Sequence, residues 1–189
     1  SCTSFFILNN VNAKESKLIV VSDKLNVRKN PSIKSKIIYN LAIGTEVKFI
    51  KSTKMKIKIG SLKGYWYYID TDFFHNAMSD DSIKGWVFSY HIARKKDFKL
   101  ANKFHNYKIE DWVHSNFISY AFNSNATYTR KVFISKIKSY KKISGKVYKY
   151  RKVILAVDDD DNSFNIFYLN KNKLCSTYFN YKGKRICSK

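Results

Sequence analysis

The sequence predicts a mainly β chain with a helical connector: a small barrel, then a helix, then an antiparallel β-meander. Three observations carry this expectation. Fourteen Tyr, fourteen Phe and three Trp are residue types that pack well on pleated, half-buried surfaces. One Pro and six Gly among 189 residues exclude a low-complexity or disordered chain. Apolar residues alternate at a period of two in both halves, and a spacing of three and four interrupts them in the middle.

The elements follow in order. Leu18-Ile19-Val20-Val21, Glu46-Val47-Lys48-Phe49-Ile50 and Tyr65 to Ile69 are short runs separated by turn residues, the spacing of a small barrel over residues 18–96. Ile109, Trp112, Val113, Phe117, Tyr120 and Ala121 share one face at helical spacing. Asp97 is a suitable cap for an earlier turn carrying Phe98, Ala101 and Phe104. A helix is therefore expected over 97–122. Strands are expected at 128–138, 146–157, 163–169, 173–179 and 184–188. Their turns fall at Ser144-Gly145, Asp158 to Asn162, Asn170-Lys171-Asn172 and Lys182-Gly183. Residues 97–189 thus read as a helix plus a meander of four or five strands, and residues 1–17 as a leader segment.

The barrel segment resembles a known family. Leu25-Asn26-Val27-Arg28, Pro31-Ser32, Ile37-Ile38 and Leu41-Ala42-Ile43-Gly44-Thr45-Glu46-Val47 are similar to the opening of a bacterial SH3 domain. Trp66-Tyr67-Tyr68-Ile69 fits the central strand of that family, and Gly85-Trp86-Val87 with Tyr90 and Ile92 fits its closing segment. The pieces occur in order over residues 18 to about 94. Pro31 stands just past a strand, where a missing donor costs little, and Gly44 suits a tight turn. Two connections, Lys51–Gly64 and Asp70–Lys84, are longer than the family pattern, and the second carries Phe73, Phe74 and His75.

The resemblance implies a small β-barrel that binds cell-wall peptide, peptidoglycan or another extended ligand in exported proteins. Candidate groove residues are Tyr65, Tyr67, Phe88 and Tyr90, with His91 at the edge, while Trp66 and Trp86 read as core. Aromatic grooves of this kind bind extended peptides by stacking and shape. Two function classes are carried forward. One is a non-catalytic binding module for wall peptide or an envelope protein. The other is a structural or adhesive envelope protein, whose barrel packs internally and whose basic surface or C-terminal sheet makes the partner contact.

Compartment is read from two features. Phe5-Phe6-Ile7-Leu8 followed by Val11-Asn12-Ala13 has the small-residue pattern of a signal-peptide cleavage site, which sets a mature start at Lys14. In the rival reading Cys2 is a lipidated cysteine, and a lipid there is then the protein's sole link to a membrane. Both place the protein outside the cytoplasm, periplasmic or secreted. Cys175 and Cys187 flank a predicted hairpin and are expected to bridge in an oxidising compartment.

The net charge of +22, from 36 Lys and Arg against 14 Asp and Glu, draws the chain to polyanions such as anionic envelope polymer. An AT-rich genome yields the same Lys-rich composition, so function and composition both stand as causes. No zinc-finger spacing, RNA-binding motif or basic heptad region accompanies the charge, and no specific nucleic-acid partner is expected.

Catalysis is not expected. His75, His91, His105 and His114 all precede Cys175, which falls in a predicted strand instead of at the helix start where a nucleophilic cysteine is activated. Asp158, Asp160 and Asn162 share the first-third-fifth spacing of a calcium loop, but Ser163 replaces the turn glycine and Leu169 the closing Glu. That run reads as a solvated hairpin loop, and neither metal nor cofactor is expected.

Overall fold

Alternating apolar residues close the N-terminal part into a strongly curved sheet. A computed structural model describes residues 17–71, 82–102, 104–113, 116–134, 138–179 and 185–188. The first strands are β1 (Lys17–Val20), β2 (Lys24–Arg28), β3 (Ile37–Ala42) and β4 (Glu46–Ser52). Next come β5 (Ile57–Ile59), β6 (Leu62–Gly64), β7 (Trp66–Asp70), β8 (Lys84–Phe88) and β9 (Ile92–Arg94). Seven of them form one sheet in the order β3-β2-β8-β7-β4-β1-β9, and β5 with β6 makes a separate hairpin. Leu18, Val20, Leu25, Val27, Val47, Ile69 and Val87 fill the barrel interior. The long Lys51–Gly64 connection is therefore partly structured, with β5–β6 folded back so that Gly64 lies against the Phe88 ring.

The second sheet begins with β10 (Lys99–Leu100), β11 (Tyr107–Val113), β12 (Asn116–Phe122) and β13 (Thr127–Ile134). It continues with β14 (Ser139–Tyr150), β15 (Val153–Asp158), β16 (Phe164–Asn170), β17 (Lys173–Phe179) and β18 (Arg185–Cys187). From β11 to β18 it is a meander in chain order, and β10 pairs with β14. It curls over a core that includes Ile109, Phe122, Tyr128, Ile154, Phe167 and Leu174. Cys175 lies opposite Cys187 and the two form a disulfide.

Three expectations are corrected. The helix over 97–122 is absent from the described residues. A 3-10 turn at Lys95–Asp97 and the β11–β12 hairpin stand there instead. In the hairpin Ile109 stands opposite Tyr120 and Trp112 opposite Phe117, so the residues read as one helix face are shared between two paired strands. The β-branched and aromatic side chains favour the strand, and pairing with β13 satisfies the hydrogen bonds of β12. Asp97 closes the 3-10 turn, accepting from the Arg94 N–H at 2.7 Å, and opens no helix.

The expected strand 146–157 is two strands, β14 and β15, reversing at Arg151-Lys152, where Arg151 adopts φ 54°. Alternation runs through this reversal without a Gly or Pro to mark it. Conversely, Ser144-Gly145 is no turn but lies inside β14. A Cβ on Gly145 would stand 2.6 Å from Tyr128 Cε1 and 2.1 Å from the Val157 oxygen, so glycine is there to admit the ring.

The two sheets share a third core. Ile19, Val21, Ile43, Ala93 and Phe98 from the N-terminal part meet Val153, Leu155, Val157, Ile166 and Tyr168. β1 and β15 are thus buried on both faces, one face in their own sheet's core and the other in the common layer. Gly44 (φ 81°) turns β3 into β4 against the second sheet, where an added Cβ would lie 2.3 Å from Thr177 Cγ2.

Candidate ligand-binding site

Pairing of β7 with β8 sets Trp66 opposite Phe88 and Tyr68 opposite Trp86. Trp66 and Phe88 are buried and their rings lie 5.8 Å apart, so Phe88 is a packing residue in this structure. Trp86, expected in the core, is only half-buried. It stacks with Tyr68 at 5.1 Å, and the exposed Lys51 ammonium stands 5.3 Å from the Tyr68 ring and 5.8 Å from the Trp86 ring. Tyr67 alternates to the other face and packs edge-on against Phe49 at 5.1 Å, beside the barrel interior. It therefore stands apart from the other four groove candidates.

Those four converge at the 3-10 turn Ser89–His91. The Tyr65 N–H donates to Ser89 Oγ and the Ser89 N–H donates to the Tyr65 oxygen, both at 2.8 Å, which fixes Tyr65 beside the turn. Tyr90 and His91 meet edge-to-face at 5.4 Å, and His91 meets Phe88 at 6.2 Å. Tyr65, Tyr90 and His91 are half-buried, leaving part of each side chain to solvent.

The C-terminal sheet completes this corner, a contribution that sequence reasoning missed. Arg151, at the β14–β15 reversal, stacks its guanidinium 4.0 Å from the Tyr90 ring centroid and donates to the Tyr90 oxygen at 2.9 Å. Partial burial, and then the charge of Arg151, lower the His91 pKa from its ordinary 6.5. His91 is thus held neutral at physiological pH, able to donate from one ring nitrogen and accept at the other. The adjacent Lys152 pairs with Asp23 and pins the same reversal to the barrel.

Residues 23–93 match the family model described as bacterial SH3 domain. This span is SH3-like. The match covers the SH3-like barrel from β2 to β9 and stops before the second sheet. No curated protein and no solved structure matches the chain.

The acidic run lies elsewhere and is not uniformly solvated as expected. Asp158 is buried. It accepts from the Tyr128 hydroxyl, from Arg130 Nη2 at 2.7 Å and from Ser163 Oγ at 2.8 Å. Burial, and then the hydrogen bond to Asp158, push the Tyr128 hydroxyl pKa far above its usual range, so it stays a donor. Of the three residues with calcium-like spacing, Asp158 is thus held in a hydrogen-bonded core while Asp160 and Asn162 are exposed, and among the described residues no group of three His, Cys, Asp or Glu is placed to hold a metal ion. Phe73, Phe74, His75, His114, Cys2 and the Lys182-Gly183 turn lie outside the described residues.

Proposed function

We propose that the chain is an exported, non-catalytic binding protein whose SH3-like barrel engages an extended ligand, wall peptide or an envelope protein partner. The corner formed by Tyr65, Tyr90 and His91 under Arg151 carries this reading. It supplies two half-exposed aromatic faces for stacking, a neutral imidazole and a fixed guanidinium, the elements with which shallow grooves hold extended peptides. Export is supported by the Cys175–Cys187 disulfide, since such bonds persist in oxidising compartments. The same bond occupies Cys175, so that sulfur is no thiolate nucleophile.

Retention on purified peptidoglycan, at low and at raised salt, tests the proposal. Binding that survives salt and falls at least fivefold in Tyr65→Ala plus Tyr90→Ala supports the groove. Binding abolished by salt alone leaves only the +22 charge, because exposed charges are screened over about 8–10 Å. The mass of the native protein separates lipidation at Cys2 from soluble secretion.

A structural or adhesive role is the second reading, favoured by the core common to both sheets. A barrel held so firmly serves as part of a rigid body and leaves partner contact to other faces.

A further inference from the structure

A second recess, away from the Tyr90 corner, opens where the two sheets meet. It is a cleft of about 540 Å³, within the size range of small-molecule sites. Its floor is apolar, made by the buried Ile19, Phe98 and Leu155 together with the half-buried Phe164. Arg94 and Lys95 line it from the barrel side. The Lys95 ammonium donates to the Asn162 oxygen at 3.2 Å and lies 5.0 Å from the Phe164 ring. Arg94 is anchored through its N–H to Asp97, which sets the turn that carries Lys95.

Glu46 lines the same cleft, and its Oε1 is buried while accepting no hydrogen bond among the described residues. A buried acceptor without a donor is costly. The site thus combines cations that suit an anionic group, an apolar floor, and a carboxylate oxygen lacking a donor.

We propose that this cleft binds a ligand with a carboxylate, an apolar body and an adjacent N–H donor: an N-acylated or peptidyl amino acid with an apolar side chain. The carboxylate is met by Arg94 and Lys95 through charge-assisted hydrogen bonds. The side chain lies on Phe98, Leu155 and Phe164, and the amide N–H supplies the donor that Glu46 lacks. Both sheets contribute, so neither half of the chain builds the site alone. It does not depend on the Tyr90 corner.

The test is a titration of the isotopically labelled full chain, followed by amide chemical shifts, with three probes. N-acetyl-L-phenylalanine has all three features, its primary amide lacks the charge, and 3-phenylpropionate lacks the N–H. The expected result is saturable binding of the first, with shifts centred on Phe98, Leu155 and Phe164. The amide should bind at least tenfold more weakly and phenylpropionate at least threefold more weakly. Arg94→Ala plus Lys95→Ala should abolish the preference for acid over amide, and Glu46→Leu the preference for acetylphenylalanine over phenylpropionate. Tyr65→Ala plus Tyr90→Ala should leave all three affinities unchanged. Equal binding of acid and amide, shifts centred elsewhere, or no saturation overturns the proposal. The probe series on the unaltered chain decides even if Glu46→Leu fails to fold.

Discussion

The SH3-like barrel and the C-terminal sheet solve the same burial problem in opposite ways. The barrel interior is built from aliphatic side chains, with Leu18, Val20, Val27, Val47 and Val87 at its centre, and its outside still displays Ile33, Ile37, Ile38, Tyr39, Ile50 and Met55. The C-terminal sheet buries an ionic group, Asp158 with Arg130 and Tyr128, while Lys141, Lys142, Lys146 and Lys149 of β14 lie exposed. Most of the exposed large apolar residues are on the barrel, with Leu100 and Tyr140 on the second sheet, while exposed lysines are spread over both. An interior of aliphatic residues tolerates exchange of similar shapes, whereas a buried charge fails when one partner is removed.

The sharpest test of that contrast is Asp158→Ala. It leaves the Arg130 guanidinium, with 18% of its side chain exposed, facing an empty acceptor site, and should cost about 3–5 kcal/mol. Val27→Ala in the barrel should cost a similar or smaller amount, by lost packing alone. Chemical denaturation of both variants measures the difference, and an Asp158→Ala cost under about 1 kcal/mol would show that the cluster is not what holds the second sheet.

Replacing both Cys175 and Cys187 by Ser should cost about 2–3 kcal/mol. Amide exchange should then rise in β17 and β18 and stay unchanged in β2 and β3. Gly145→Ala follows, at about 1–3 kcal/mol, because the new Cβ meets the Val157 oxygen first and the Tyr128 ring next; a widened β14–β15 spacing with loss of the Tyr128–Asp158 contact in a crystal structure of the variant would confirm the cause.

The smallest effect falls at the junction of the two regions. Arg151→Ala should cost about 0.5–1 kcal/mol in lost stacking on Tyr90 and raise the His91 pKa toward 6.5. The sign follows from linkage. A folded pKa below the unfolded one means that His91 protonates more readily when unfolded. Its contribution is therefore complete above pH 6.5 and is lost as pH falls through the lower, folded value. His91→Gln should flatten this acid-side slope, read from denaturation midpoints across that window.

The apolar run Leu18 to Val21 is where sequence and structure meet most closely, while Val153 to Val157 is a strand of its own and not the end of a longer one. An uninterrupted apolar strand signals burial on both faces, and both β1 and β15 are buried so. The barrel strands, the Asn170–Asn172 turn and the Cys175–Cys187 pairing were likewise legible, because each rests on neighbours in sequence or on a short hairpin. The β11–β12 hairpin was not, since its apolar and aromatic residues also fit the spacing of one helix face and no Gly or Pro marks the turn between Val113 and Asn116. The groove was legible only in part. The family resemblance named Tyr65 and Tyr90 as groove residues, but it could not show that Tyr67 turns inward or that Phe88 is covered.

What the sequence determined by itself is the β character, the SH3-like segment and the last strands of the meander, all set by local alternation, turns and motif spacing, whereas β11, β12 and the β14–β15 reversal were not among them. Only the tertiary structure decided that Arg151 would stack on Tyr90, 61 residues away, that Asp158 would leave its acidic run for a buried ion pair, and that Arg94, Lys95 and Glu46 would line one cleft. Each of these joins residues from distant strands. Arg151 and Tyr90 meet by the packing of one sheet on the other, Asp158 and Arg130 by pairing of β13, β14 and β15 within the second sheet, and Arg94 and Glu46 by pairing of β9, β1 and β4 within the first; no local pattern encodes any of these.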